Sequence, residues 1–407
     1  MDLQELKIKY PLLISYMKTQ NYNLCYIRSI QMEIKWILKE SAHYHWKTFD
    51  DIYQTYVEKW TNKYSLSNRL RRLLVIKRFT LESAMPDGLK HAQRPSNYNS
   101  LCVEFKRFIN LYRDGIKTVN KKSHGSNKLI EYSASSFLLR LQKQGVNSIE
   151  QITEKNVLEV FNNDIRFAPS YKYKKTVSEA FKICTQFYPE NICSKVISWL
   201  PAIQNVRKNV QYLTKYEVKK IKSVLENDSS LSLQNRAIGL LAFYTGLRSS
   251  DIAALRHDQI DWENDLIHII QRKTGIPHIL PLRAIVGNAI FDYITKERPK
   301  SSEEAVFLTV TVPYRRLHTA NLYIICVNIM KKAGIRNNPG DRMGFHLLRH
   351  HFATSLLENE IDYSVISRTL GHQSPKTLHQ YMDADFIHLK ECALRIDCFP
   401  IRKEVFQ

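Results

Sequence analysis

The chain has 407 residues, with 60 Lys and Arg against 39 Asp and Glu, so its formal net charge is +21. This length predicts about two to three domains, and a hydrophobic share of 44% excludes a wholly disordered chain. So large an excess of positive charge is typical of proteins that bind a polyanion, most often nucleic acid. A basic solubilising surface or a ribosomal contact would give the same charge.

The cysteine and hydrophobic patterns indicate a cytoplasmic protein without a membrane anchor. The seven cysteines are scattered and include no CxxC pair, so the sequence predicts neither a zinc ribbon nor a disulfide framework. No apolar run approaches the ~18 residues of a membrane-spanning helix. The apolar stretch near the N-terminus is too short and too interrupted for a signal peptide.

Residues 1–90 are predicted to form a helical domain. Apolar residues recur at helical spacing from Ile27 to Glu40 and from Ser67 to Phe79. Ser65 and Ser67 are candidate caps of the second helix, and a polar stretch with Pro and Gly follows as a linker. The second helix also carries candidate DNA-phosphate contacts: Arg69, Arg71 and Arg72.

Residues 100–203 are predicted to form a second helical domain. One of its helices begins near Ser170 and carries lysines and two tyrosines in its first turns. Either set of cations would be explained equally well by a solvated basic face that binds nothing. The candidate phosphate contacts of this domain are Lys172, Lys174 and Lys175.

Residues 212–407 have a mixed pattern. Thr214 and Glu217 have the spacing of a capping box, and helices are predicted over about 215–226 and 232–245. A short meander of strands follows, in which LIHIIQ and HILP flank a TG turn and predict a hairpin. Helices are expected again from about 284 to the end. The predicted fold is therefore mainly α with a small antiparallel β-sheet, the sheet lying in an α+β third domain.

Three polar side chains of this third domain stand in the segment from its apolar helix to the predicted hairpin. Arg248 follows the apolar helix IGLLAFYTG, and Asp251 is expected to orient it, although a purely structural buried salt bridge is the alternative. Lys273 is expected at the tip of the hairpin, where most lysines are merely solvated.

Further polar side chains lie in the last predicted helices. His346, Arg349 and His350 fall on one face of a helix. They could instead form a partly buried polar face or part of a metal site, but no carboxylate stands at metal-ligand spacing, so no metal is expected. His372 follows Gly371 and could simply cap a helix.

Tyr381 is a candidate nucleophile because of the cations that accompany it. Any one of the 22 tyrosines is more often a packing residue than a nucleophile. A phenol has a pKa near 10, so it needs help to lose its proton at neutral pH. Planar guanidinium groups can grip two phosphate oxygens each, and they would stabilise the charge that develops when the phenol attacks a phosphodiester.

These residues carry a resemblance to a known family. The segments TGLRSSDIAALRHDQID, QRKTGIPHILPL and HLLRHHFATSLLENEIDYSVISRTLGHQSPKTLHQYM resemble the tyrosine recombinase, or phage integrase, family over about residues 212 to 390. The family pattern is an Arg, a Lys, a His-x-x-Arg pair, a His or Trp, and a Tyr. The matching residues are Arg248, Lys273, His346, Arg349, His372 and Tyr381.

The resemblance implies a transesterification of DNA without metal or other cofactor, in which Tyr381 forms a 3′-phosphotyrosine and frees a 5′-hydroxyl. It also implies that residues 100–203 are a core-type DNA-binding domain. Residues 1–90 lie outside the resemblance, and from their position in the chain we expect them to bind arm or core DNA. The implied roles are phosphate binding by Arg248, Arg349 and His372, protonation of the leaving oxygen by Lys273 and proton transfer from Tyr381 by His346, with Asp251 and His350 in support.

The partners that the resemblance implies are double-stranded DNA and three further copies of the chain, as a homotetramer on two DNA sites. Accessory DNA-bending or directionality proteins are further candidates, and the expected role is integration or excision of a mobile element. The amphipathic tail after Tyr381 is expected to dock on a neighbouring protomer, with packing on its own protomer left open.

Two alternatives remain. A type IB topoisomerase uses similar chemistry, but the HLLRH and LGH motifs disfavour it. A catalytically inactive DNA-binding regulator is disfavoured because such a protein need not keep Tyr381 or Lys273.

Overall fold

The structure, a computed structural model, describes residues 3–88, 96–119, 123–162, 170–189, 191–205 and 211–371. The described residues fall into two compact units: those within Met1–Leu6 and Glu33–Lys208 form the first unit, and those within Lys7–Met32 and Asn209–Gln407 form the second. Within the described ranges, no helix is long and apolar enough to cross a lipid bilayer.

The chain begins with four helices: α1 (Leu3–Thr19), α2 (Leu24–Tyr44), α3 (Phe49–Lys59) and α4 (Lys63–Glu82). The two helices predicted here are confirmed, since they lie within α2 and α4. The cap of α4 differs from the prediction: the side chain of Asn62 accepts hydrogen bonds from the backbone N–H groups of Tyr64 and Ser65. Because Asn62 supplies this acceptor, the helix begins before Ser65 and Ser67, which therefore lie inside it.

Five more helices follow within the first unit: α5 (Val103–Val119), α6 (His124–Gln142), α7 (Glu154–Asn162), α8 (Tyr171–Cys184) and α9 (Ile192–Ser198). α8 packs against α5, α6 and α9. Its Phe181 is fully buried, with its ring centroid 4.7 Å from that of Phe108 on α5. Aromatic side chains of this size dominate the burial that holds small helical domains together.

The second unit is built around a buried helix. α10 (Lys215–Asn227) begins with the predicted capping box, in which Thr214 and Glu217 satisfy each other's backbone N–H groups. α11 (Leu233–Thr245) is apolar on nearly all sides and is followed by α12 (Ser249–Ala254). A helix apolar all round must be enclosed, and α11 contacts α10, α12 and three helices beyond α12 in the chain.

The predicted meander is confirmed as an antiparallel sheet in the order β1-β2-β3: β1 (Ile260–Asp261), β2 (Leu266–Ile270) and β3 (Pro277–Pro281). In β2 and β3, alternate residues point inward. Their register pairs His268 with Ile279 and Ile270 with Pro277. The turn between them, residues 271–276, carries Lys273.

Helices resume as predicted with α13 (Ala284–Asp292), which continues into a π-helical turn, Tyr293–Glu297. Residues 298–318 are irregular, contrary to the prediction of helices throughout. There the guanidinium of Arg298 donates to the carbonyl oxygens of Glu303, Ala305 and Val306, which satisfies backbone groups without a helix. The remaining described helices are α14 (Thr319–Lys332), α15 (Phe345–Glu358) and α16 (Tyr363–Leu370).

Candidate active site

Two arginines from distant segments meet at the C-terminal end of α16. Arg248 stands at the start of α12, and its Nη2 donates to the carbonyl oxygen of Gly371 at 3.2 Å. Arg349 lies on α15, and its Nη2 donates to the carbonyl oxygen of Leu370 at 2.6 Å. Because these carbonyls belong to consecutive residues, the two guanidinium groups lie close together.

The ends of helices explain why two cations can be held here. The last carbonyls of a helix lack partners within it and carry partial negative charge. Arg349 binds such groups at two helix ends, since its Nη1 also donates to the carbonyl oxygen of Gly246, 2.8 Å away, directly after α11. The side chain is only 5% exposed, and a buried guanidinium requires acceptors of this kind.

Gly246 allows α11 and α15 to approach each other. It ends α11 in the left-handed conformation, with φ of 62°. A Cβ at this position would lie 2.6 Å from the ring of Phe352, the third residue after Arg349. The glycine therefore places the Gly246 carbonyl against Arg349 and directs the chain towards Arg248.

Gln271 links Arg248 to the same helix end, and sequence reasoning missed it. Its side chain is 1% exposed, and its Oε1 accepts hydrogen bonds from Arg248 Nη1 and Thr274 Oγ1. Its Nε2 donates to the Leu370 carbonyl oxygen at 3.3 Å. The alternation along β2 points position 271 inward, so a polar residue at that inward position was the available signal.

Asp251 has a different partner from the one expected. It was expected to orient Arg248, but its Oδ1 accepts a hydrogen bond from the backbone N–H of Arg272 at 3.0 Å. Arg248 is oriented by Gln271 and Gly371 instead. The buried carboxylate of Asp251 thus fixes the start of the turn that carries Lys273.

His346 stands among the cations in the first turn of α15, as its predicted spacing requires. The side chain is exposed at the surface. Desolvation by the surrounding protein lowers its pKa, and nearby positive charges lower it further, in the order Arg349, Lys273 and Arg248. His346 is therefore neutral near pH 7, the state in which an imidazole can accept a proton.

Two other histidines adjoin this group. His350 is half-buried one turn after His346, and its ring centroid is 6.0 Å from that of Tyr212. Burial, followed by the charges of neighbouring groups, lowers its pKa to about 4. Sequence reasoning missed His278, which is 8% exposed on β3 and whose pKa burial lowers. Like Gln271, it stands at an inward position of its strand.

Two of the predicted site residues, His372 and Tyr381, lie outside the described residues. The described chain ends at Gly371, so His372 directly follows the carbonyl that Arg248 binds. The assembled part combines two fixed guanidinium groups, an ammonium in a turn and a neutral imidazole. Such a set can bind an oxyanion and move protons around it. Among the residues that the structure describes, no three His, Cys, Asp or Glu side chains are grouped to hold a metal ion.

The candidate phosphate contacts on α8 lie in its first turn and a half. Lys172 and Lys175 are exposed, and Lys174 is half-buried. Positive charges near the N-terminus of a helix oppose its dipole. The lysines therefore do not stabilise α8, which favours a role at the surface.

The three arginines of α4 are in different environments. Arg69 Nη1 and Arg72 Nε lie 2.7 and 2.8 Å from the carboxylate oxygens of Glu33, which is 3% exposed. Glu33 also accepts a hydrogen bond from the hydroxyl of Tyr56 at 2.7 Å. Arg71 is exposed. A structural role thus accounts for Arg69 and Arg72, while Arg71 faces solvent.

The segment that holds this site is similar to known proteins. A model of the phage integrase family matches residues 211–388. A putative integrase/recombinase, y4gC of Sinorhizobium fredii, is 33% identical over 42% of this chain and 88% of its own length. The tyrosine recombinase XerA of Thermococcus kodakarensis is 31% identical over 73% of this chain and 95% of its own length.

A solved structure shows the same fold. The XerH site-specific recombinase, in a post-cleavage complex with its palindromic difH substrate, aligns with a TM-score of 0.54 and 20% identity. The alignment covers 75% of this chain and 98% of that one. The alignment with XerA of Thermococcus kodakarensis covers 95% of the length of XerA, and the family model covers the segment that holds both arginines. The chain therefore belongs to the phage integrase family and is a tyrosine recombinase.

Proposed function

We propose that this chain is a site-specific recombinase that cuts and rejoins double-stranded DNA through a 3′-phosphotyrosine formed by Tyr381. The observation that carries the proposal is the convergence of Arg248 and Arg349 on the two carbonyls that directly precede His372. Proteins of the same fold provide support: XerH binds its difH substrate, and a lambda integrase dimer with a TM-score of 0.51 binds a core site.

The arginines act on the phosphate. The positive charges of Arg248 and Arg349 neutralise the scissile phosphodiester and stabilise the charge that develops on its non-bridging oxygens. Because both side chains are anchored to backbone carbonyls, little reorganisation is needed when the transition state forms. His372, the next residue along the chain, would add a hydrogen bond to the same phosphate.

Protons move in opposite directions on the two sides of the phosphorus. The bond from the Tyr381 oxygen to phosphorus forms while the bond to the 5′-oxygen breaks. His346, neutral near pH 7, accepts the phenol proton, and Lys273 gives a proton to the leaving 5′-oxygen. In rejoining, a 5′-hydroxyl attacks the phosphotyrosine. Lys273 takes the proton of that hydroxyl, and His346 returns a proton to the oxygen of Tyr381. The ester conserves the bond energy, so no external energy source is required.

The domain organisation and assembly are part of the proposal. Residues 1–90 and 100–203 would bind DNA, residues 212–407 would carry out catalysis, and four copies would act on two sites. A lambda integrase tetramer on a Holliday junction, whose fold aligns with a TM-score of 0.50, supports such an assembly. Integration or excision of a mobile element in the cytoplasm, helped by accessory proteins, is the role we expect.

Covalent trapping tests this function. The substrate is a nicked duplex built from direct repeats identified by sequencing the DNA that flanks the gene, and it is designed so that the cut releases a short fragment and rejoining cannot occur. We expect the unchanged protein and Tyr363→Phe, a control on an exposed tyrosine of α16, to form a protein–DNA adduct. Tyr381→Phe should bind the same DNA and form none. An adduct in Tyr381→Phe would show that another residue attacks. Relaxation of a plasmid lacking the site, without recombinants, would favour a topoisomerase.

A further inference from the structure

We propose that Gln271 is a positioning residue that joins Arg248 to the C-terminal end of α16. By doing so it sets the phosphate-binding arginine and the chain leading to His372 and Tyr381 in one arrangement. This inference rests on the proposed function and assigns to it a residue that the family pattern does not include.

The amide of Gln271 is used at both ends. Its Oε1 accepts from Arg248 and from the hydroxyl of Thr274, and its Nε2 donates to the carbonyl oxygen of Leu370. With 1% of the side chain exposed, water cannot replace these partners. An amide is the side-chain group of this length that offers an acceptor and a donor together; a carboxylate lacks the donor, and a thioether lacks both.

The carbonyl of Leu370 connects the two arginines through this glutamine. It accepts from Gln271 Nε2 at 3.3 Å and from Arg349 Nη2 at 2.6 Å. Arg349 is held by the carbonyls of Leu370 and Gly246, whereas Arg248 is held by Gln271 itself and by the carbonyl of Gly371. Loss of Gln271 would therefore affect Arg248 more than Arg349.

Gly371 packs directly against the same amide. Its φ is 62°, and a Cβ built on it would overlap the amide group of Gln271. A larger residue at 371 would have to displace that amide from its three hydrogen-bond partners. Gln271 and Gly371 therefore constrain each other, which explains why the chain leaves α16 through a glycine here.

The location of Gln271 in the turn extends the coupling to the general acid. Gln271 lies two residues before Lys273, the proposed general acid. Between them, the backbone N–H of Arg272 donates a hydrogen bond to the carboxylate of Asp251. A misplacement of about 1 Å at a reacting centre can cost ~100-fold in rate. Small shifts of this turn would thus alter both Arg248 and Lys273.

The test compares Gln271→Ala and Gln271→Met with Gln234→Ala. Methionine keeps the volume of glutamine and removes its hydrogen bonds. Gln234 is a matched control in the same unit: it is 5% exposed and donates to the Tyr293 hydroxyl and the Leu308 carbonyl. The measurement is the single-turnover rate of adduct formation on the nicked substrate with saturating full-length protein. We expect both Gln271 variants to be roughly 10- to 100-fold slower at unchanged DNA affinity, and Gln234→Ala to stay within about 3-fold.

A second substrate separates action through Arg248 from a general loss of structure. A methylphosphonate at the scissile position removes the negative charge that Arg248 neutralises, so the defect of the Gln271 variants should shrink to about 3-fold or less. A full rate for Gln271→Met, or an equal loss on both substrates, would overturn the inference. If the unchanged protein formed no adduct on either substrate, that result would refute the proposed function and, with it, this inference.

Discussion

Arg349 combines structural and chemical roles in one side chain. Placing a guanidinium in the interior is unfavourable unless its N–H groups find acceptors. The carbonyls of Gly246 and Leu370 supply them, from two helix ends 124 residues apart in the sequence. Hydrogen bonds to a charged group contribute about 1.5–3 kcal/mol each. The same contacts that stabilise the unit therefore hold the cation at the place where we propose that it binds a phosphate.

His350 makes the stability of the second unit depend on pH. Its pKa is lowered to about 4 in the folded chain, with burial as the main cause, so the unfolded chain binds more protons between about pH 4 and 6.5. Stability is then fully present above pH 6.5 and is lost as the pH falls through that window. From pH 7 to 5 we expect the free energy of unfolding to drop by about 2 kcal/mol through this residue.

Urea unfolding of full-length protein at pH 7 and pH 5 measures this effect, with His350→Gln as the comparison. Desolvation and nearby positive charges also lower the pKa values of His346 and His278, so the variant should retain part of the pH dependence. Between pH 7 and pH 5, we expect the free energy of unfolding of His350→Gln to fall by about 2 kcal/mol less than that of the unchanged protein. The same loss in the variant and the unchanged protein would exclude His350 as the source.

At the scale of single elements, α4 shows how neighbouring arginines can differ in role. Arg72 faces inward, where its Nε pairs with the buried Glu33, while Arg71 is exposed. We expect Arg72→Ala to lower the free energy of unfolding by about 1–3 kcal/mol, because a buried carboxylate loses a partner. Arg71→Ala should change stability by less than about 0.5 kcal/mol and weaken DNA binding.

Chemical denaturation and a DNA-binding titration on the same two variants give the test. Each variant serves as the control for the other, since both remove an arginine from one turn of one helix. Weakened DNA binding by Arg72→Ala at unchanged stability would reverse the assignment. It would make the ion pair with Glu33 secondary to a contact with DNA.

At the scale of the whole molecule, the net charge of +21 predicts DNA binding that is strongly salt-dependent. Each phosphate contact contributes about −0.9 to the slope of log K against log salt concentration. We expect Lys172→Ala and Lys175→Ala each to make this slope shallower by about 1 and to weaken binding to any sequence equally. Lys155→Ala, an exposed lysine of α7, should leave the slope unchanged. A slope unaffected by all three variants would show that the surface of α8 lies away from DNA.

The sequence by itself determined the elements and the family. Helical periodicity, the capping box of Thr214 and Glu217, and the alternation in β2 and β3 act over a few residues, so they can be read locally. The order and spacing of Arg248, Lys273 and the HLLRHH segment likewise predicted the chemistry before any contact was known.

Only the tertiary structure decided which groups hold these side chains in place. Arg248 is held by Gln271 and by Gly371, 123 residues away, rather than by Asp251 three positions on. Arg69 pairs with Glu33, 36 residues earlier. The physical reason is that a buried charge takes whichever acceptor folding brings to it, and that acceptor comes from helix ends and turns far along the chain. Local sequence patterns carry no record of those approaches.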